Sequence, residues 1–162
     1  MSFFQLRSRQ VENIQYSTPS ASVVLTGTIT GAIDEDSITT GGDTIILTVT
    51  GDTWVTSGAT FDAIRQDIID GIDSAQSEAN GWDAIVKAGL AVTDVVRTSD
   101  TVVTITLPAF ATYDITAQET ITATVPASAL SLGASAIAAP TFTIDSVAVV
   151  SSINLFALLG VG

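Results

Sequence analysis

Short runs in which Thr, Val and Ile alternate constrain this chain more than any motif does. TIILTVT (44–50) is the clearest, and ASVVLTGTIT (21–30), AVTDVVR (91–97), TVVTITLP (101–108), ETITATVP (119–126) and PTFTIDSVAVV (140–150) follow the same pattern. A period of two sends successive side chains to opposite faces of a strand. Ile45, Leu47 and Val49 therefore form one apolar face, and β-branched residues pack well on such a pleated surface. Thr98-Ser99-Asp100 is a tight connection, so 91–97 and 101–108 are expected to form a hairpin, and Pro126 closes the run before it.

Between the second and third runs the period changes. ATFDAIRQDIIDGIDSAQSEAN (59–80) places Phe61, Ile64, Ile68, Ile72 and Ala75 at three- and four-residue spacing, with most of its aspartates off that stripe. The spacing predicts an amphipathic helix over about 60–78, capped by Thr60 and weakened by Gly71. NGWDAIVKAGL predicts a second, short helix over about 81–89, with Asn80 as its cap and Gly89 as its stop. GAIDEDSITTGGD reads as an acidic loop. Two strands, two helices, a hairpin and two more strands suggest a mainly β protein, an antiparallel β-sandwich of Greek-key character. Its helical pair would lie across one end or edge.

Composition narrows the function. The chain has 162 residues, a net charge of −12, no Cys and no His. Disulfides, thiolate metal sites, cysteine nucleophiles and the Ser-His-Asp triad are thereby excluded. The charge disfavours binding to nucleic-acid phosphates. No cofactor and no metal site is expected. Asp34-Glu35-Asp36 offers hard oxygen ligands but matches no EF-hand spacing, and three adjacent acids more often mark a solvated turn. Asp67, Asp70 and Asp73 fit a solvated helix face better than a glycosidase pair. Lys87 suits the last turn of the short helix, where a cation meets the dipole. Gly27, Gly41, Gly42 and Gly51 match no phosphate-binding pattern. Trp54 and Trp82 could stack on a sugar, but each stands at an element boundary, where an aromatic more often seals sheet against helix.

GGDTIILTVTGDTWV, FDAIRQDIIDGIDSAQSEANGWDAIVKAGL and DVVRTSDTVVTITLPAFATYDITAQETITATVPASAL together resemble an immunoglobulin-like β-sandwich module. That module recurs in virion structural proteins of tailed bacteriophages. The resemblance covers roughly 21–148, and TYDIT-x-x-ETIT-x-TVP (112–126) is its most specific element. It implies an Ig-like sandwich with two inserted short helices, without the cysteine pair, and with Tyr113 packed at the strand corner, its hydroxyl on backbone. It also implies an accessory virion role and supplies no catalytic residue.

The domain division expected is an N-terminal docking arm (1–20), a sandwich domain (21–150) and an apolar C-terminal segment (151–162). Apolar groups on an exposed segment are costly unless they find a surface. Arginine among aromatics suits a carboxylate-bearing protein groove. Phe3, Phe4, Leu6, Arg7 and Arg9, with Leu155, Phe156 and Leu158, are thus the expected partner-binding residues. The function expected is that of a non-enzymatic capsid decoration or cement protein, made in the host cytoplasm and bound to the capsid surface. Its partner would be the major capsid protein or another virion protein, with several copies in one assembly. No nucleic acid and no membrane takes part; INLFALLGVG is too short to span a bilayer. The alternative is a receptor- or glycan-binding module of the tail or fibre, using Trp54 or Trp82.

Overall fold

The computed structural model describes residues 24–29, by backbone alone, and residues 33–56, 58–133 and 139–146. The chain is mainly β. Among the described residues seven strands, β1 (Val24–Ile29), β2 (Thr44–Thr50), β3 (Ile72–Ser74), β4 (Val95–Arg97), β5 (Val102–Thr106), β6 (Glu119–Ala123) and β7 (Thr141–Ile144), form two antiparallel sheets. One has the order β1-β2-β5-β4 and the other β3-β6-β7. No ladder joins the sheets among the described residues.

Alternation fixes which side chains enter the core. Ile45, Leu47 and Val49 of β2 are buried as the sequence predicts, and so are Val103 and Ile105 of β5 across the ladder. From the second sheet come Ile72, Ile121, Ala123 and Ile144, and residues of both sheets share one continuous core. Each large aliphatic chain buried there contributes about 1.5–3 kcal/mol. The 91–97 and 101–108 segments do form a hairpin, β4 against β5, although 92–94 make a 3₁₀ turn before the strand begins. The last strand is described only as far as its end at Ile144; 147–150 lie outside the described residues.

The helices depart from expectation in three places. The acidic loop is in part helix α1 (Glu35–Thr40). Asp34 accepts the Ser37 N–H at 2.8 Å while Ser37 Oγ accepts the Asp34 N–H at 2.9 Å, a reciprocal cap that nucleates a helix too short to show a period. The long amphipathic helix is two short ones, α2 (Ala59–Asp62) and α3 (Arg65–Asp70). Phe61, Ile64 and Ile68 are buried as the stripe requires, but Ile72 is buried from strand β3, and Ala75 is exposed.

Gly71 makes that switch. Its carbonyl accepts the Thr124 N–H at 2.7 Å, and a Cβ at position 71 would lie inside the Thr124 carbonyl oxygen. The chain leaves the helix where the second sheet comes too close for a side chain. The second predicted helix is present as α4 (Trp82–Lys87), a π-helical turn continued by Ala88 and Gly89. Gly81 stands at its N-terminus; the Asn80 carbonyl instead accepts the Asp114 N–H at 3.1 Å.

Candidate functional site

Among the described residues a dense polar cluster joins the segment 74–84 to the segment 113–120. Glu119 opens β6 in phase with Ile121 and Ala123, so the alternation turns it inward, and it is 0% exposed. A carboxylate so placed needs donors around it. Its Oε2 accepts the Tyr113 hydroxyl at 2.8 Å and the Trp82 backbone N–H at 3.0 Å, and its Oε1 accepts the Ser74 hydroxyl at 3.3 Å. A Cβ on Gly81 would collide with Glu119 Oε1, so glycine there lets the carboxylate reach the start of α4. Burial, and then the hydrogen bond to Glu119, push the Tyr113 phenol well above its ordinary value, which keeps it a donor. The hydroxyl thus meets a carboxylate rather than backbone, a correction to the expectation for Tyr113.

Further bonds fasten the same two segments. Gln76 Oε1 accepts the Thr120 N–H at 2.7 Å, and the Glu78 carboxylate accepts the Thr116 N–H at 3.0 Å and hydroxyl at 2.9 Å. Ser74–Glu78, Asp83 and Ala84 line a shallow groove of about 450 Å³. At its side stand Asp73, Asp83 and Lys87, with Lys87 Nζ 3.0 Å from Asp73 Oδ1. The bond to Lys87 holds the Asp73 carboxyl below its ordinary value. Lost hydration, and then the neighbouring Asp73 carboxylate against the help of the Ser74 N–H, leave Asp83 raised.

The sign follows from linkage. Asp73 adds stability above its ordinary value of 3.8, which is lost as pH falls through its lower folded value. Asp83 behaves oppositely, because its fold contribution is complete below 3.8 and is lost as pH rises through its raised value. Asp83→Asn keeps an oxygen for Ser74 and removes the charge. The variant is expected to melt slightly higher than the parent at pH 7, with the difference gone below pH 3.8. A scan of melting temperature against pH checks this, and a lower Tm at pH 7 contradicts it.

The remaining sequence candidates fall elsewhere. Phe3, Phe4, Leu6, Arg7, Arg9, Leu155, Phe156 and Leu158 lie outside the described residues. Trp54 and Trp82 are both 0% exposed, so neither ring offers a face to a sugar. Trp82 lies edge-on to Phe142 and donates Nε1–H to the Ile72 carbonyl at 3.3 Å; Trp54 follows β2 and pairs with Leu130 in an isolated bridge. They seal junctions, a correction to the glycan-binding role expected of them. Asp34 to Asp36 cap and open α1 instead of gathering on a cation, and the described residues hold no cluster of three or more metal-ligating side chains. Asp67 and Asp70 belong to α3 but Asp73 to β3, so the three do not share a helix face. Lys87 ends α4 as expected and also reaches Asp73.

The cluster that sequence reasoning missed is the one around Glu119. Its signal was present, as an acid in the inward phase of an alternating strand. The arrangement fastens one part of the fold to another. No substrate reaches a carboxylate closed off in this way. Comparison with family models, with curated proteins and with solved structures gave no match.

Proposed function

We propose that the chain is a non-enzymatic structural protein of a tailed-phage virion, an immunoglobulin-like module held on the capsid by its terminal segments. The strand order carries the reading. The seven described strands, in the orders β1-β2-β5-β4 and β3-β6-β7, have the same order as the A-B-E-D and C-F-G sheets of a constant-type immunoglobulin sandwich. Tyr113, six residues before β6, is the tyrosine this reading assigns to the strand corner, and its hydroxyl bonds Glu119 in place of backbone. A module of this kind is a display unit, and the residues left for adhesion are those at the chain's two ends.

Phe3, Phe4, Leu6, Leu155, Phe156 and Leu158 supply apolar burial against the major capsid protein or another virion protein, and Arg7 and Arg9 supply forked hydrogen bonds. The glycan-binding alternative has lost the two rings it required. Deleting residues 2–16 is expected to leave the circular dichroism and melting temperature of the domain unchanged. Capsid binding should weaken about 100-fold or more, since each lost large apolar contact is worth about 1.5–3 kcal/mol. Co-sedimentation with capsids lacking the protein measures it, and retained occupancy by the truncated chain refutes the reading.

A further inference from the structure

Asn80 and Gly81 form the chain's one Asn-Gly pair; its other asparagines, Asn13 and Asn154, precede isoleucine and leucine. The pair stands where the chain enters α4. That helix covers the outer edge of β3, for Trp82 Nε1–H donates to the Ile72 carbonyl and Asp83 Oδ1 accepts the Ser74 N–H at 3.4 Å. Glycine is required at 81, because a Cβ would collide with Glu119 Oε1 and lie 3.0 Å from Glu78 Cβ. The fold therefore sets after Asn80 the residue that shields its own backbone nitrogen least.

The surroundings leave the electrophile free and the nucleophile lightly held. Asn80 is exposed, and among the described residues its side-chain amide has no hydrogen-bond partner. The Gly81 N–H closes a turn on the Glu78 carbonyl at 3.2 Å, and the Asn80 carbonyl accepts the Asp114 N–H at 3.1 Å. Opening one exposed turn costs far less than unfolding the domain. Asp70-Gly71 has a similar sequence but different surroundings. Asp70 accepts the Gln66 side-chain N–H at 2.8 Å, the Gly71 N–H is bonded to the Asp67 carbonyl at 3.0 Å, and a carboxylate is a poorer electrophile than an amide.

We propose that Asn80-Gly81 is a site of spontaneous covalent modification, a succinimide-forming junction whose products loosen the fastening around Glu119. When the turn opens, the Gly81 nitrogen loses its proton to solvent and attacks Asn80 Cγ. The bond from Cγ to the side-chain nitrogen breaks, and that nitrogen leaves with a proton as ammonia. Water then opens the five-membered ring. Attack at Cγ restores the ordinary main chain with an aspartate at 80. Attack at the α-carbonyl leaves isoaspartate, whose main chain runs through Cγ and is one methylene longer. Nothing is oxidised or reduced: one water enters and one ammonia leaves.

Both products matter to the cluster beside them. Each adds a carboxylate to a segment that already carries Glu78 and Asp83 and abuts Glu119, where like charges repel. Isoaspartate also takes the former Asn80 carbonyl off the main chain, away from the Asp114 N–H. Its extra methylene displaces the Trp82 N–H, which Glu119 Oε2 accepts at 3.0 Å. The site does not depend on the virion reading.

Peptide mapping of aged full-length chain tests this. The protein is held in mildly alkaline buffer below its melting temperature and cut after Arg65 and Lys87, which isolates residue 80 in the peptide 66–87. That peptide is expected to gain the mass of an amide-to-acid exchange, located at residue 80 by fragmentation. Isoaspartyl methyltransferase should label it. The reaction should run severalfold faster than at Asn13 or Asn154, and faster still in chain unfolded by urea, where no turn holds the Gly81 N–H. The modified protein should melt several degrees below fresh protein, and Asn80→Ser aged alongside should show neither change. An intact Asn80 in folded chain, over a period in which the urea-unfolded chain reacts there, overturns the proposal. Modification without a fall in Tm overturns it too, as does an equal fall in Asn80→Ser, since the fastening around Glu119 would then be untouched by residue 80.

Discussion

Replacing Glu119 with alanine is expected to cost about 3–5 kcal/mol of unfolding free energy, read as a lower midpoint in urea with little change in slope. The substitution leaves the Trp82 N–H and the Tyr113 hydroxyl buried with no acceptor, and each orphaned donor costs about 1–3 kcal/mol. It also empties the space of a side chain that is 0% exposed. A domain of this size has only about 5–15 kcal/mol to lose. Glu119→Gln keeps one acceptor oxygen and should lose less than alanine does. Tyr113→Phe removes a single donor, and its cost should shrink when Glu119→Gln is already present, which a double-mutant cycle measures. Full stability in Glu119→Ala would show that the carboxylate holds nothing together.

Gly71→Ala has the second largest expected effect, and its sign separates two physical arguments. By helix propensity the change should stabilise by up to about 1 kcal/mol, because Gly71 ends α3 in an ordinary right-handed conformation that alanine adopts freely. The tertiary structure predicts the reverse. The new methyl would overlap the Thr124 carbonyl oxygen, whose residue also donates its N–H to the Gly71 carbonyl at 2.7 Å. The turn from α3 into β3 and the approach of β6 must then separate, costing about 3 kcal/mol in strain and weakened pairing. Thermal melting of the single variant decides between them: a rise in Tm rejects the close approach, and a fall of several degrees supports it.

Both predictions rest on residues whose surroundings differed from what their neighbours in sequence suggested. Gly71 reads as a weak point inside a helix because Ile68 and Ile72 continue the helical spacing. Residues four apart on a helix and residues on either side of a helix-to-strand turn can both face one core, so the spacing alone does not distinguish them. α1 was hidden for another reason. Six residues give too little period to register, and only the reciprocal bonds of Asp34 and Ser37 mark its start. Their place at element boundaries leaves Trp54 and Trp82 open to either a junction or a sugar platform, and the full burial of both rings decides for the junction.

Alternation acts over two residues and needs no partner to be legible, so the sequence by itself determined β2, β5 and β6 and their core faces. It also placed Glu119 in the inward phase of β6, although it named none of the donors that make that position tolerable. Those donors come from residues 74, 82 and 113, distant along the chain, and only the folding of one sheet against the other brings them together. The order of strands, the end of α3 at Gly71 and the covering of β3 by α4 belong to the same class. Each is set by contacts between segments far apart in sequence, where close approach and hydrogen-bond satisfaction outweigh the local preference of any one segment.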